Sequence, residues 1–121
     1  MIYTRKRKRP AAFGLHRLAV DFDGVVMQRL RVKHSARLCG EPMPGALDAL
    51  ERLARRWEIV IFSARAGSEK GRLAILAWLN VHKVDGFVTD VTCQKINAVA
   101  YIDDRAIRFE NWPQVLEIFD A

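Results

Sequence analysis

The chain is poor in several residue types, and each shortage excludes something. Only two cysteines, Cys39 and Cys93, occur in 121 residues, and they show no metal-ligand spacing. A disulfide framework and a thiolate metal site are therefore not expected, and two reduced thiols fit a cytoplasmic protein. Apolar runs are short, far below the ~20 residues needed to cross a bilayer, so no membrane partner is expected. The N-terminus is basic but has no long apolar stretch behind it, which argues against an export signal. There is no internal repeat. What is plentiful is apolar content, at 50% of residues, enough to exclude disorder along the whole chain and to build one core.

The net charge of +6 is unevenly placed. Arg5, Lys6, Arg7, Lys8 and Arg9 carry most of it, leaving the remainder nearly neutral. Residues 1–14 thus read as a basic, flexible arm, and 15–121 as a single folded domain. A like-charged block of this kind is usually solvated and can contact nucleic acid.

Beyond the arm, short apolar runs alternate with amphipathic segments. Leu18-Ala19-Val20 reads as a strand. Leu47, Leu50 and Leu53 recur at helical spacing after Pro44, a residue suited to a first helical turn. Ile59-Val60-Ile61-Phe62 has the β-branched and aromatic character of a buried strand. Ser68 is placed to cap a helix whose apolar side includes Leu73, Leu76 and Leu79. Phe87-Val88 and Val99-Ala100-Tyr101-Ile102 read as further strands, and Asn111 as the cap of a last helix containing Val115, Leu116 and Phe119. Trp57, Trp78 and Trp112 read as packing residues. Strands alternating with helices predict an α/β layer fold with a largely parallel sheet.

The polar residues convert this outline into a candidate site. The first apolar run ends in Asp21, the second in Ser63 and the last in Asp103-Asp104, while Lys95 stands just before the last strand. Parallel α/β sheets bind ligands beyond the carboxyl ends of their strands. Each residue alone has a plain explanation as a turn former or helix cap. Together they bring acids, a hydroxyl and a cation to one edge.

The residue types narrow the chemistry. Asp21 and Asp23 would share a face on a continuing strand, and crowding them with Asp103 and Asp104 calls for a cation. Oxygen ligands without histidine or cysteine favour a hard ion, Mg²⁺. Asp21 could then attack a phosphate, with Asp23 as general acid and base. Ser63 and Lys95 would hold phosphate oxygens.

Asp21-Phe22-Asp23-Gly24, Phe62-Ser63-Ala64-Arg65, Lys95 and Tyr101-Ile102-Asp103-Asp104-Arg105 resemble the four ordered motifs of the haloacid dehalogenase-like (HAD) superfamily. The resemblance spans residues 18–109 and is nearest in pattern to small bacterial and phage hydrolases. It implies a Rossmann-like three-layer sandwich around a mainly parallel sheet. It also implies a nucleophile at Asp21, an acid/base at Asp23, and phosphate contacts from Ser63 and Lys95. Mg²⁺ would be bound by the Asp21 carboxylate, the Asp23 backbone carbonyl and the Asp103-Asp104 pair. Many relatives carry threonine where this chain has Val25. An aspartate at position 23 favours phosphate esters or anhydrides over carbon–halogen or carbon–phosphorus bonds. The leading acid pair ends the first strand, which rejects a receiver domain, where the phosphorylated aspartate ends the third.

Roughly twenty residues separate Gly24 from Pro44, and the interval between Ser63 and Lys95 holds one helix and a short strand. Neither gap accommodates a cap domain, so a capless, open site is expected. Residues 25–40 contain no acid but include Arg29, Arg31, Lys33, His34 and Arg37, either a solvated flap or a basic rim that draws anions inward. Arg65 and Arg105 could contact substrate or form structural salt bridges. The expectation is a Mg²⁺-dependent phosphatase, a hydrolase acting on a nucleotide, a sugar phosphate or a nucleic-acid end. The alternative is a HAD-like binding module that grips nucleic acid with its arm and flap. Oligomeric state is not legible.

Overall fold

The computed structural model describes residues 16–30 and 40–120. The basic arm, the flap cations Arg31, Lys33, His34 and Arg37, and Cys39 lie outside the described residues. Four strands form one parallel sheet: β1 (Arg17–Val20), β2 (Glu58–Phe62), β3 (Asp90–Thr92) and β4 (Ala100–Ile102), in the spatial order β3-β2-β1-β4. Three helices accompany them: α1 (Ala46–Leu53), α2 (Glu69–Val81) and α3 (Trp112–Phe119). The expected α/β architecture with a parallel sheet is present. No helix is long and apolar enough to cross a membrane among the described residues.

One face of the sheet carries the main buried cluster, and Ala19 and Val60 on the other face are buried as well. Leu18 and Val20 of β1, Ile59 and Ile61 of β2 and Val91 of β3 alternate along their strands and join one buried cluster. Leu50 and Ala54 from the α1 side, and Ile75, Trp78 and Leu79 of α2, complete it. Each valine, leucine or isoleucine among them contributes about 1.5–3 kcal/mol on leaving water. Trp78 is also polar-anchored, its indole N–H donating to the Gly40 carbonyl at 2.9 Å. α3 contributes no buried residue, so a second helical layer is not packed down as the first is.

Capping follows the sequence closely. The Ser68 hydroxyl accepts from the Gly71 N–H and the Asn111 side-chain oxygen from the Gln114 N–H, each meeting one orphan donor of a helix start.

Four expectations need correction. Pro44 does not open α1, because Gly45 (φ 83°) takes the left-handed conformation and starts the helix afresh at Ala46. Phe87-Val88 is not a strand. Asp85–Phe87 forms a 3-10 turn, and pairing resumes with Asp90 opposite Val60. Leu73 is exposed, since the face of α2 turned to the sheet carries Ile75, Trp78 and Leu79 instead. Trp112 does not pack into the core, and 66% of it is exposed.

Candidate active site

The ladder register decides which residues meet. Val20 of β1 lies opposite both Ile61 of β2 and Ile102 of β4, so these strands end level. The residues that follow must emerge at one edge. Backbone bonds continue the register by one step: the Asp21 N–H donates to the Ile102 carbonyl and the Ser63 N–H to the Thr92 carbonyl, both at 2.9 Å. Asp21, Ser63 and Asp103-Asp104 are thereby delivered together, as the run ends predict.

Asp21 does not continue the strand into Asp23. The Phe22 carbonyl accepts the N–H groups of Val25, Val26 and Met27, at 3.3, 2.9 and 3.0 Å, which curls the chain just past Asp21. Phe22 anchors the curl, fully buried and packed edge-on to Trp78 with ring centroids 5.2 Å apart. Gly24 is needed where it stands. Its φ is +84°, and a Cβ there would run into the Asp104 carboxylate and the Arg29 guanidinium.

The curl separates the two leading acids. Carboxylate oxygens of Asp21, Asp103 and Asp104 lie within 4.8 Å of one another. The Asp23 carboxylate points elsewhere and takes two hydrogen bonds from Arg65, at 2.7 Å from Nε and 2.9 Å from Nη2. The expected crowding of four carboxylates is thus three plus one. Repulsion at Asp23 is relieved by a bidentate guanidinium, and Arg65 takes the salt-bridge alternative. The same hydrogen bond pushes the Arg65 pKa further up, keeping it charged.

The cluster has its own electrostatics. Burial pushes the Asp21 carboxyl above its ordinary value. A hydrogen bond from the Phe22 N–H (2.8 Å) opposes that shift, and the negative charges of Asp103, Asp104 and Asp23 reinforce it. Asp104 is met by Arg29, whose Nη2 lies 3.1 Å from both carboxylate oxygens and whose Nε lies 3.3 Å from Oδ2. Asp103 accepts from the Arg105 N–H at 2.7 Å, a short turn that fixes its carboxylate.

The two phosphate candidates differ in placement. Ser63 is buried, and its hydroxyl accepts from the Arg65 N–H at 3.2 Å, capping the 3-10 turn Ala64–Gly67. The Arg65 backbone is therefore tied to Ser63 while its side chain reaches Asp23. Lys95 is exposed and sits over the Tyr101 ring, 5.7 Å from its centroid. That ring packs edge-on against Phe62, and its hydroxyl is joined to the Ile96 backbone. Lys95 is so held beside β4 rather than against the carboxylates. Val25, which departs from the threonine of the resembled motif, packs against the core.

The Arg29–Asp104 pair is not legible from run ends, because in the sequence Arg29 is one of several cations in residues 25–40. The usable signal was Gly24, whose obligatory conformation folds the following residues back over the acids.

The donor set suits a hard divalent cation. The chain matches no protein-family model, no curated protein and no solved structure.

Proposed function

We propose that this protein is a Mg²⁺-dependent, capless HAD-like phosphohydrolase that works through an aspartyl-phosphate. Its substrate class is a phosphomonoester borne on a nucleotide, a sugar or a nucleic-acid end. One observation carries the reading: the Asp21 carboxylate stands at the end of the central strand β1, within 4.8 Å of those of Asp103 and Asp104. Arg29 offsets part of this charge at Asp104, and a divalent cation would offset the rest.

Asp21, Asp103 and Asp104 would hold the Mg²⁺, with the Asp23 carbonyl as a further ligand implied by the motif resemblance. Such an ion would supply charge neutralisation for an approaching phosphate. An oxygen of Asp21 attacks phosphorus, and the ester P–O bond breaks as Asp23 gives its proton to the leaving oxygen. Asp23 then takes a proton from water, whose oxygen attacks the same phosphorus and breaks its bond to Asp21. Inorganic phosphate leaves and Asp23 is protonated again.

Arg65 has to release Asp23 while that carboxyl carries the proton. Phosphate oxygens offer the guanidinium an equivalent bidentate partner, so the exchange conserves its hydrogen bonds. Ser63 and Arg105 follow strand ends at the same edge and would contact the phosphate or its bearer, and Lys95 would have to leave the Tyr101 ring to join them.

Purified protein should hydrolyse a generic aryl phosphate with Mg²⁺ and lose that activity in EDTA. A panel of phosphorylated metabolites and oligonucleotides then identifies the substrate. Failure to release phosphate from any of them with Mg²⁺ would remove the reading.

A further inference from the structure

The last part of the chain carries apolar surface that its own fold leaves uncovered. Trp112, Leu116 and Phe119 recur at helical spacing along α3 and are 66%, 55% and 71% exposed. Phe109 extends the stripe past the helix start, packed on Trp112 with ring centroids 5.3 Å apart and itself 57% exposed. At roughly 150–250 Å² per large side chain, this stripe offers on the order of 500 Å² on one copy. A contiguous apolar stripe of that size commonly marks an interaction surface on a small monomer.

Charge order indicates what covers it. Arg105 and Arg108 precede α3, with Glu110 between Arg108 and the helix, leaving that end net positive. Glu117 and Asp120 make the other end negative. None of these five joins an ion pair among the described residues. A surface positive at one end, negative at the other and apolar between is complementary to itself turned end for end. That is the relation a two-fold axis imposes.

We propose that residues 105–120 form a homodimer interface. Two copies pack their Phe109–Trp112–Leu116–Phe119 stripes antiparallel, with Arg108 of each facing the acidic helix end of the other. Two such stripes bury about 1,000 Å² in total, the lower bound of a specific interface. Antiparallel helices also set opposite dipole ends side by side.

Sedimentation equilibrium on the full chain tests this. Wild type should be a dimer, and Trp112→Glu should be a monomer with an unchanged circular dichroism spectrum, since α3 contributes nothing to the core. Arg108→Glu and Glu117→Arg should each weaken the dimer at least tenfold, and combining them should restore most of the loss. That recovery distinguishes a registered interface from stickiness. A wild-type monomer, whether residues 1–15 or nothing covers the stripe, would overturn the proposal. So would growth past the dimer, or a dimer indifferent to Trp112→Glu and to the charge reversals.

Discussion

Arg65 grips Asp23 with two hydrogen bonds, and its own backbone N–H is capped by Ser63. One residue therefore links the ends of β1 and β2. Both side chains are largely shielded, 32% and 19% exposed, so the pair is more than a surface contact. Arg65→Ala should cost about 1–2 kcal/mol, because it strips a half-buried carboxylate of its partner. Adding Asp23→Asn should recover part of that loss. Chemical denaturation of the four proteins gives the coupling, and independent costs would show that the bond carries nothing.

The Asp21 carboxyl is raised above its ordinary value, mainly by burial. A raised carboxyl binds its proton more tightly folded than unfolded. Its contribution to stability is fully present below the unfolded value and is lost as pH rises through the folded one. In EDTA, the melting temperature should therefore carry a term that falls as pH climbs through the acid range and then levels. Asp21→Asn should flatten that descent and melt higher near neutrality. An unchanged pH profile in the variant would contradict the assigned environment.

Mg²⁺ should stabilise the wild type, by about 2.7 kcal/mol at a hundredfold excess over its dissociation constant. Asp103→Asn and Asp104→Asn should each weaken the cation, measured by titration calorimetry. Arg29 competes for the Asp104 carboxylate. Arg29→Ala should therefore bind Mg²⁺ more tightly, and weaker binding would make Arg29 a support for Asp104 rather than a competitor.

Gly24→Ala should destabilise the fold by about 1–3 kcal/mol. The left-handed backbone opposes any side chain, and the new Cβ meets the Asp104 carboxylate and Arg29. Equilibrium unfolding checks the loss. Its companion, Gly45→Ala, has a matching φ of +83° but open space around it, so it should cost less. The difference isolates the contact with Asp104.

The sheet and most of its edge residues were legible because apolar runs are long enough to announce strands in β1 and β2. β3 was not. Its three residues are Asp90, Val91 and Thr92, and a single buried valine between polar neighbours makes no run. Asp21, Ser63 and Asp103-Asp104 could be placed at one edge because each ends or follows a strand. The parting of Asp21 from Asp23 could not be read, since it depends on three N–H groups converging on the Phe22 carbonyl. Trp112 was misjudged for a related reason. Helical spacing shows which residues share a stripe, and it does not say that a core lies beneath them.

The proposed nucleophile, Asp21, would carry the phosphoryl group during turnover. Quenching the protein during aryl phosphate hydrolysis with Mg²⁺ and reducing it with borohydride converts an acyl-phosphate to homoserine, which peptide mass spectrometry locates. Homoserine is expected at position 21, dependent on both Mg²⁺ and substrate. Full hydrolytic activity with an unmodified Asp21, or activity retained by Asp21→Asn, would contradict it.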